Sequence, residues 1–205
     1  MHQMETKSRI IKTANHLFAT QGFAGVSVRK IAKEAGVNVA AVNYHFNNKA
    51  KLYSTIIKEA KERISREAMA INIEELSVTE VALCLFEVFV KNAKQLRHAF
   101  SMLICDLPSD GFEFDLEENE KGAPGEALLL ASLEKEYGSD LDHLTKEWVV
   151  SVIFSKTIHM ALLADTRLIK GLCRGDEERF APERVRSNIK NTVNAVLAYL
   201  DRHSP

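Results

Sequence analysis

The sequence predicts an all-α protein, with an N-terminal three-helix helix-turn-helix domain over residues 1–53 and a helical body over residues 54–205. Three observations carry this expectation. Apolar residues recur at three- and four-residue spacing along most of the chain, the period of helices that each pack one face. Val26 to Lys49 (VSVRKIAKEAGVNVAAVNYHFNNK) reads as two short helices around a glycine turn, the arrangement of a helix-turn-helix. Charge is also divided unevenly. Residues 1–53 carry Lys7, Arg9, Lys12, Arg29, Lys30, Lys33, Lys49 and Lys51 against Glu5 and Glu34, a balance of +6, and the remainder stands at −7. The net charge of −1 thus conceals a basic head on an acidic body, which suits a protein that presents one end to a polyanion.

The first helix is expected from Thr6 to Gln21, with Ile10, Ile11, Ala14, Leu17 and Phe18 as its stripe and Gly22 as its stop. It is needed, because the two motif helices alone enclose too small a core. Phe23 and Val26 close that core from the loop. Ser27 is placed to cap the second helix by accepting a backbone amide; Val28, Ile31, Ala32 and Ala35 form its apolar face, and Gly36 ends it. The third helix starts near Asn38. At about 100° per residue, Val39, Val42 and Phe46 fall on its packed side with Asn43 at the edge, and Ala40, Ala41, Tyr44 and His45 fall on the other.

Leu52, Tyr53, Ile56, Ile57, Ala60 and Ile64 then share one face of a long amphipathic helix that leads from the motif into the body. Val78 to Leu107 is so dense in apolar residues that it reads as buried helix up to the limit at Pro108, and Leu107 to Gly125 reads as a loop. Pro124 suits the start of a helix that passes Leu128, Leu129 and Leu133 and ends at Gly138. Asp140 can cap the next one, apolar nearly all round from Leu144 to Leu163. The last helix opens after Pro182. These two late helices offer more apolar surface than one subunit is expected to cover, which predicts a dimer interface of Trp148, Val152, Val185, Ile189, Val193, Val196, Leu197 and Leu200. A two-fold dimer is the commonest soluble oligomer.

The outward face of the third helix is small and then aromatic. Two alanines leave room for close approach, while Tyr44 and His45 supply a hydroxyl, ring faces and imidazole donors, chemistry suited to phosphates and thymine methyls in a major groove. Tyr44 and Lys49 are expected at phosphates, and Ser27 and Arg29 at the duplex backbone through a helix N-terminus. Asn38, Ala40, Ala41, Asn43 and His45 are expected at base edges or beside them. Asn43 can pair with adenine or serve its own helix, and His45 can instead be a solvated surface histidine.

Ser27, Ile31-Ala32, Ala35-Gly36-Val37, Asn43-Tyr44-His45-Phe46, Lys49 and Leu52-Tyr53 together resemble the DNA-binding segment of the TetR family of bacterial repressors. That pattern is a Ser or Thr cap, an apolar helix, Ala-Gly-Val-Ser, Tyr-x-His-Phe or Tyr-Tyr-His-Phe, then x-x-Lys and Leu-Tyr. Asn38 stands where the family usually has Ser, and Asn43 where Leu or Tyr is frequent, which bears on the bases read. The resemblance covers about the first fifty-five residues. It implies a homodimeric repressor on palindromic double-stranded DNA, with residues 54–205 as an effector-binding and dimerisation domain whose small-molecule occupant weakens DNA binding. Phe86, Phe89, Met102, Trp148, Phe154 and His159 are the candidates for that pocket, and each also fits plain core. Their rings and thioether favour an apolar or aromatic effector.

Other classes find less support. Cys84, Cys105 and Cys173 are odd in number and widely spaced, which fits a reducing cytoplasm better than a disulfide framework. No apolar run is expected to reach the ~18 residues of a membrane span, and MHQMETKSR does not read as a secretory leader. The histidines, His143 and His159 among them, show no short-range metal-ligand pair, and no cofactor fingerprint is present. An enzyme would need positioned carboxylates, whereas Glu117, Glu118 and Glu120 cluster in an expected loop. An architectural DNA binder without an effector would leave the large body unexplained.

Overall fold

The computed structural model describes residues 2–105, 122–138, 141–164 and 181–203. All regular structure among them is helical: α1 (His2–Gln21), α2 (Val28–Ala35), α3 (Val39–Phe46), α4 (Lys49–Met69), α5 (Val78–Lys91), α6 (Ala93–Cys105), α7 (Glu126–Tyr137), α8 (His143–Ala164) and α9 (Pro182–His203). The chain forms two compact units. One comprises residues 1–61 with the chain from Lys94 to Lys121, and the other comprises residues 62–93 and 122–205. The division falls within α4, and α6 from Lys94 onward joins the first unit.

In the first unit α1, α2 and α3 pack pairwise. Their core holds Ile10, Ala14, Leu17 and Phe18 of α1, Ile31, Ala32 and Ala35 of α2, Val42 and Phe46 of α3, and Leu52, Tyr53, Ile56 and Ile57 of α4. The expected stripes therefore meet. α1 starts earlier than Thr6, at His2. Tyr53 is fully buried and is met edge-on by Phe18 (centroids 5.2 Å) and Phe23 (4.9 Å). This aromatic cluster fixes the loop after α1 against the first turns of α4, in the offset and edge-to-face arrangements that ring quadrupoles favour.

In the second unit α8 packs against α5, α7 and α9, and α5 also packs against α7 and α9. At 22 residues α8 is long and apolar enough to cross a bilayer by length and composition alone, contrary to the expectation that no stretch reaches that limit. Its place among three partner helices accounts for that apolarity, with Val149, Val150, Ile153, Phe154, Ile158, Met160 and Ala161 buried. The cap of α8 is Asp142, whose carboxylate accepts the Thr145 amide at 3.1 Å; Asp140 lies outside the described residues.

The expected single helix from Val78 toward Leu107 is two helices. Asn92 separates them with φ −102° and ψ 13°. It is 2% exposed, and its side chain donates to Glu67 Oε2 (3.0 Å) and the Val88 carbonyl (2.9 Å) while its Oδ1 accepts from Arg63 Nη2 (3.4 Å). A buried amide must find such partners, and these partners hold the break in place.

The apolar stripe of α9 also has a different destination from the one expected. Val185, Ile189, Val193, Val196, Leu197 and Leu200 are all buried within a single copy of the chain, so their burial needs no second subunit. Trp148 (45% exposed) and Tyr199 (49%) instead face outward, their rings 5.4 Å apart. Val152 is partly covered. Trp148 and Tyr199 line a shallow groove with Asn188, Asn191, Thr192, Ala195 and Val196. Cys84 is a free thiol, the Cys105 side chain is not among those described, and both Cys173 and residues 107–121 of the expected loop lie outside the described residues.

Candidate nucleic-acid interface

Two capped helices build the candidate interface. Ser27 has extended backbone, and its Oγ accepts the Lys30 amide at 3.2 Å, so α2 begins with one of its unpaired amides satisfied. α2 ends at Gly36, whose φ of 64° lies in the left-handed region that glycine adopts without a Cβ penalty. Its amide, with that of Val37, returns to the Ala32 and Lys33 carbonyls. Asn38 repeats the device for α3, its Oδ1 accepting the Ala41 amide at 2.7 Å. This leaves the two amide donors of an exposed Asn38 for a partner.

On α3 the packed stripe is Val42 (1% exposed) and Phe46 (3%), as expected, but Val39 is 37% exposed. Ala41 and His45 are half-buried and flank that stripe, whereas Ala40, Asn43 and Tyr44 are exposed. The outward face is therefore turned by about one residue from the expected one, away from Ala41 and His45 and toward Val39 and Asn43. The physical reason is that α3 packs against both α1 and α2, which engages the side of the stripe where Ala41 and His45 lie. Tyr44 is 73% exposed and stands edge-on to the His45 ring at 5.3 Å. Its hydroxyl can reach a phosphate without any rearrangement of the core.

Arg29 is exposed on α2, beside the Ser27 cap. Lys30 is drawn back to α1 through the Gln21 side chain. Lys49 is also drawn inward. Its Nζ donates to the carbonyls of Phe23 (2.8 Å) and Val26 (3.0 Å) and sits 3.9 Å from the centroid of the Phe23 ring. Burial pushes its ammonium below the ordinary lysine range. Ser27, Arg29, Asn38, Ala40, Asn43 and Tyr44 are thus the exposed members of the expected set.

Two residues at the junction of α3 and α4 were not among those expected. Asn47 takes φ 60° and ψ −53°, and its amide returns to the Asn43 carbonyl at 2.8 Å. Asn48 caps α4 by accepting the Lys51 amide at 2.8 Å. The Asn-Asn pair just before the apolar repeat of α4 was the available signal for this cap.

The expected effector residues do not converge on one place. Phe86, Phe89 and Phe154 are buried in the second unit, with Phe89 and Phe154 edge-on at 5.8 Å. Trp148 and His159 are exposed, because α8 turns them away from its packed side. Met102 lies on α6, and its side chain is not among those described. Among the described residues no three His, Cys, Asp or Glu side chains gather as a metal site would require.

A short capped helix that presents small, amide and phenol side chains from a basic three-helix core is the arrangement found in helix-turn-helix DNA-binding domains. Comparison with known proteins gives likenesses over part of the chain. Residues 10–56 match the family described as bacterial regulatory proteins, tetR family. The Probable HTH-type transcriptional regulator YttP of Bacillus subtilis (strain 168) is 40% identical over 99 residues, which is 46% of this chain and 48% of that one. The HTH-type transcriptional regulator TtgR of Pseudomonas putida is 35% identical over 71 residues, 35% of this chain and 34% of that one. These matches span about half the relative's length or less. Solved structures extend the likeness to the whole fold. The fatty acid degradation regulator FadR of Bacillus halodurans superposes with a TM-score of 0.64 at 22% identity, covering 94% of both chains. A transcriptional regulator from Aquifex aeolicus VF5 gives 0.62 at 23% identity, covering 93% of this chain and 99% of that one. Residues 10–56 thus carry a helix-turn-helix like that of the tetR family of bacterial regulatory proteins, and over the rest of the chain the likeness to solved regulators is one of fold.

Proposed function

We propose that the protein is a homodimeric, ligand-responsive repressor that binds a palindromic operator in the cytoplasm and is released by a small apolar or aromatic effector. Residues 1–53 are the DNA-reading domain and residues 54–205 the effector-binding and dimerisation domain. The observation that carries the reading is the outward face of α3, capped at Asn38 and exposing Ala40, Asn43 and Tyr44 from a basic unit. Tyr44 and Arg29 meet phosphates, the N-terminus of α2 at Ser27 meets the duplex backbone, and Asn38 and Asn43 read base edges, with Ala40, Ala41 and His45 beside them. The rings of Phe86, Phe89 and Phe154 support an apolar effector site in the second unit. For the dimer, the exposed Trp148 and Tyr199 and the half-covered Val152 offer unpartnered apolar surface.

Selection of duplexes from random DNA by the purified protein tests this reading. The expected product is an inverted repeat whose half-sites are separated by about 10 base pairs or a multiple of it, the spacing that a two-fold dimer imposes. Enrichment of a lone asymmetric half-site would contradict the dimer, and no enrichment would contradict operator binding. Repeating the binding with apolar and aromatic small molecules tests release.

A further inference from the structure

We infer that Lys49 is a positioning residue, whose ammonium clamps the loop before α2 to the first turn of α4 and so sets how α2 and α3 meet a duplex. Its proximity to the motif had suggested a phosphate contact, but the geometry uses its charge inward. Two of the three ammonium protons are given to the Phe23 and Val26 carbonyls, at 2.8 and 3.0 Å, and the Phe23 ring covers the cation at 3.9 Å. Both carbonyls belong to the short connection between α1 and α2. Val26 is 1% exposed and immediately precedes Ser27, the residue that caps α2.

Phe23 is itself held against Phe18 and Tyr53 at centroid distances of 5.9 and 4.9 Å, so the clamp closes onto the fully buried aromatic centre of the unit. A lysine as the first residue of a helix opposes the macrodipole, and the two carbonyls offset that. If the ammonium left for a phosphate, these charge-assisted hydrogen bonds would be lost. The path from Lys49 through Val26 to the Ser27 cap makes the entry angle of α2, and hence of α3, depend on one side chain.

This inference rests on the DNA-binding reading. Its test uses the full-length protein and a duplex enriched by the wild type; failure to enrich any duplex would count against that reading and not against the clamp. K49M and K49R are compared with wild type by salt titration of binding, and by hydrogen exchange in peptides covering residues 22–28. A phosphate contact contributes about −0.9 to the slope of log K against log salt concentration, and arginine would preserve it. A clamp shaped for a compact ammonium would not accept the planar, larger guanidinium. The expected result is that both variants bind about tenfold more weakly, as the loss of charge-assisted hydrogen bonds implies. Their slopes should match wild type, and exchange should rise in residues 22–28 while the Ile10–Phe18 core stays protected. A shallower slope for K49M, or full affinity for K49R, would overturn the inference. Should K49M fail to fold, K49R alone decides between the two roles by its affinity and its exchange pattern.

Discussion

Single residues carry the chemistry of the reading face, and their exposure separates binding from stability. Tyr44 is 73% exposed, so Tyr44→Ala should change folding stability by less than about 0.5 kcal/mol. It should weaken binding to all duplex sequences alike, while Asn43→Ala should alter base preference; comparing the sequences each variant enriches from random DNA checks both, and the reverse outcome would exchange their roles. Glycines give a second pair of contrasting residues. An added Cβ at Gly36 would meet nothing within 4 Å, so Gly36→Ala should cost only its left-handed backbone, about 1 kcal/mol by denaturant unfolding. At Gly125 φ is 96° and the added atom would lie 2.7 Å from Leu85 Cδ2, inside a fully buried side chain. Gly125→Ala should therefore cost about 2 kcal/mol or more, from strain and overpacking together. The cap at Ser27 and the stops at Gly36 and Gly138 were legible because each is a local signal where a periodic run begins or ends. The inward turn of Lys49 was not legible, since its carbonyl partners are 23 and 26 residues away in sequence and come near it only when the loop folds back.

At the scale of elements, the start of α5 illustrates what holds a helix that the apolar pattern alone only locates. Ser77 Oγ accepts the Glu80 amide at 3.3 Å, and Glu80 Oε2 takes the Ser77 amide at 2.8 Å, a reciprocal capping box. Glu136 of α7 adds a carboxylate on the Val78 amide at 2.9 Å. Ser77→Ala should cost about 1 kcal/mol of unfolding free energy. Acid should have a related effect. The Ser77 amide and hydroxyl hold the Glu80 carboxyl below its ordinary range, and the Thr145 side chain and amide do the same for Asp142 at the start of α8. A carboxylate whose folded value is depressed contributes stability that is complete above the unfolded value, near pH 4, and disappears as pH falls through the folded value. Melting temperature should thus not vary with pH near neutrality on account of these two caps and should fall below about pH 4, less steeply in Glu80→Gln than in the wild type. A parallel decline in both would show that the box carries no charge-dependent share. The break between α5 and α6 escaped prediction for a related reason. Apolar residues resume after Lys91 and Asn92 at Ala93 and Leu96, so periodicity alone does not mark a stop, and Asn92 is held as one by Glu67 and Arg63 of α4, which pair with its amide.

For the whole molecule, the apolar stripe of α9 was read as the surface between two subunits, and within a single copy it is already covered. Periodicity reports that a face is covered, not which chain covers it. Ile189, with no exposure, belongs to the subunit core, so Ile189→Ala should destabilise folding by about 2–5 kcal/mol. Trp148 and Tyr199, each about half exposed, should bear on assembly instead. In sedimentation at micromolar concentration, the double substitution Trp148→Asp and Tyr199→Asp should convert the proposed dimer to a monomer with little loss of melting temperature. An unchanged dimer would move the interface elsewhere.

The central claim is that the basic N-terminal unit engages the phosphates of a duplex through α2 and α3. The most direct measurement is the affinity of the full-length protein for an enriched duplex, followed across salt concentrations. With each neutralised phosphate adding about −0.9 to the log–log slope, the slope should be steep, and Arg29→Ala should make it shallower by about that amount. A flat dependence, unchanged by Arg29→Ala, would contradict the account.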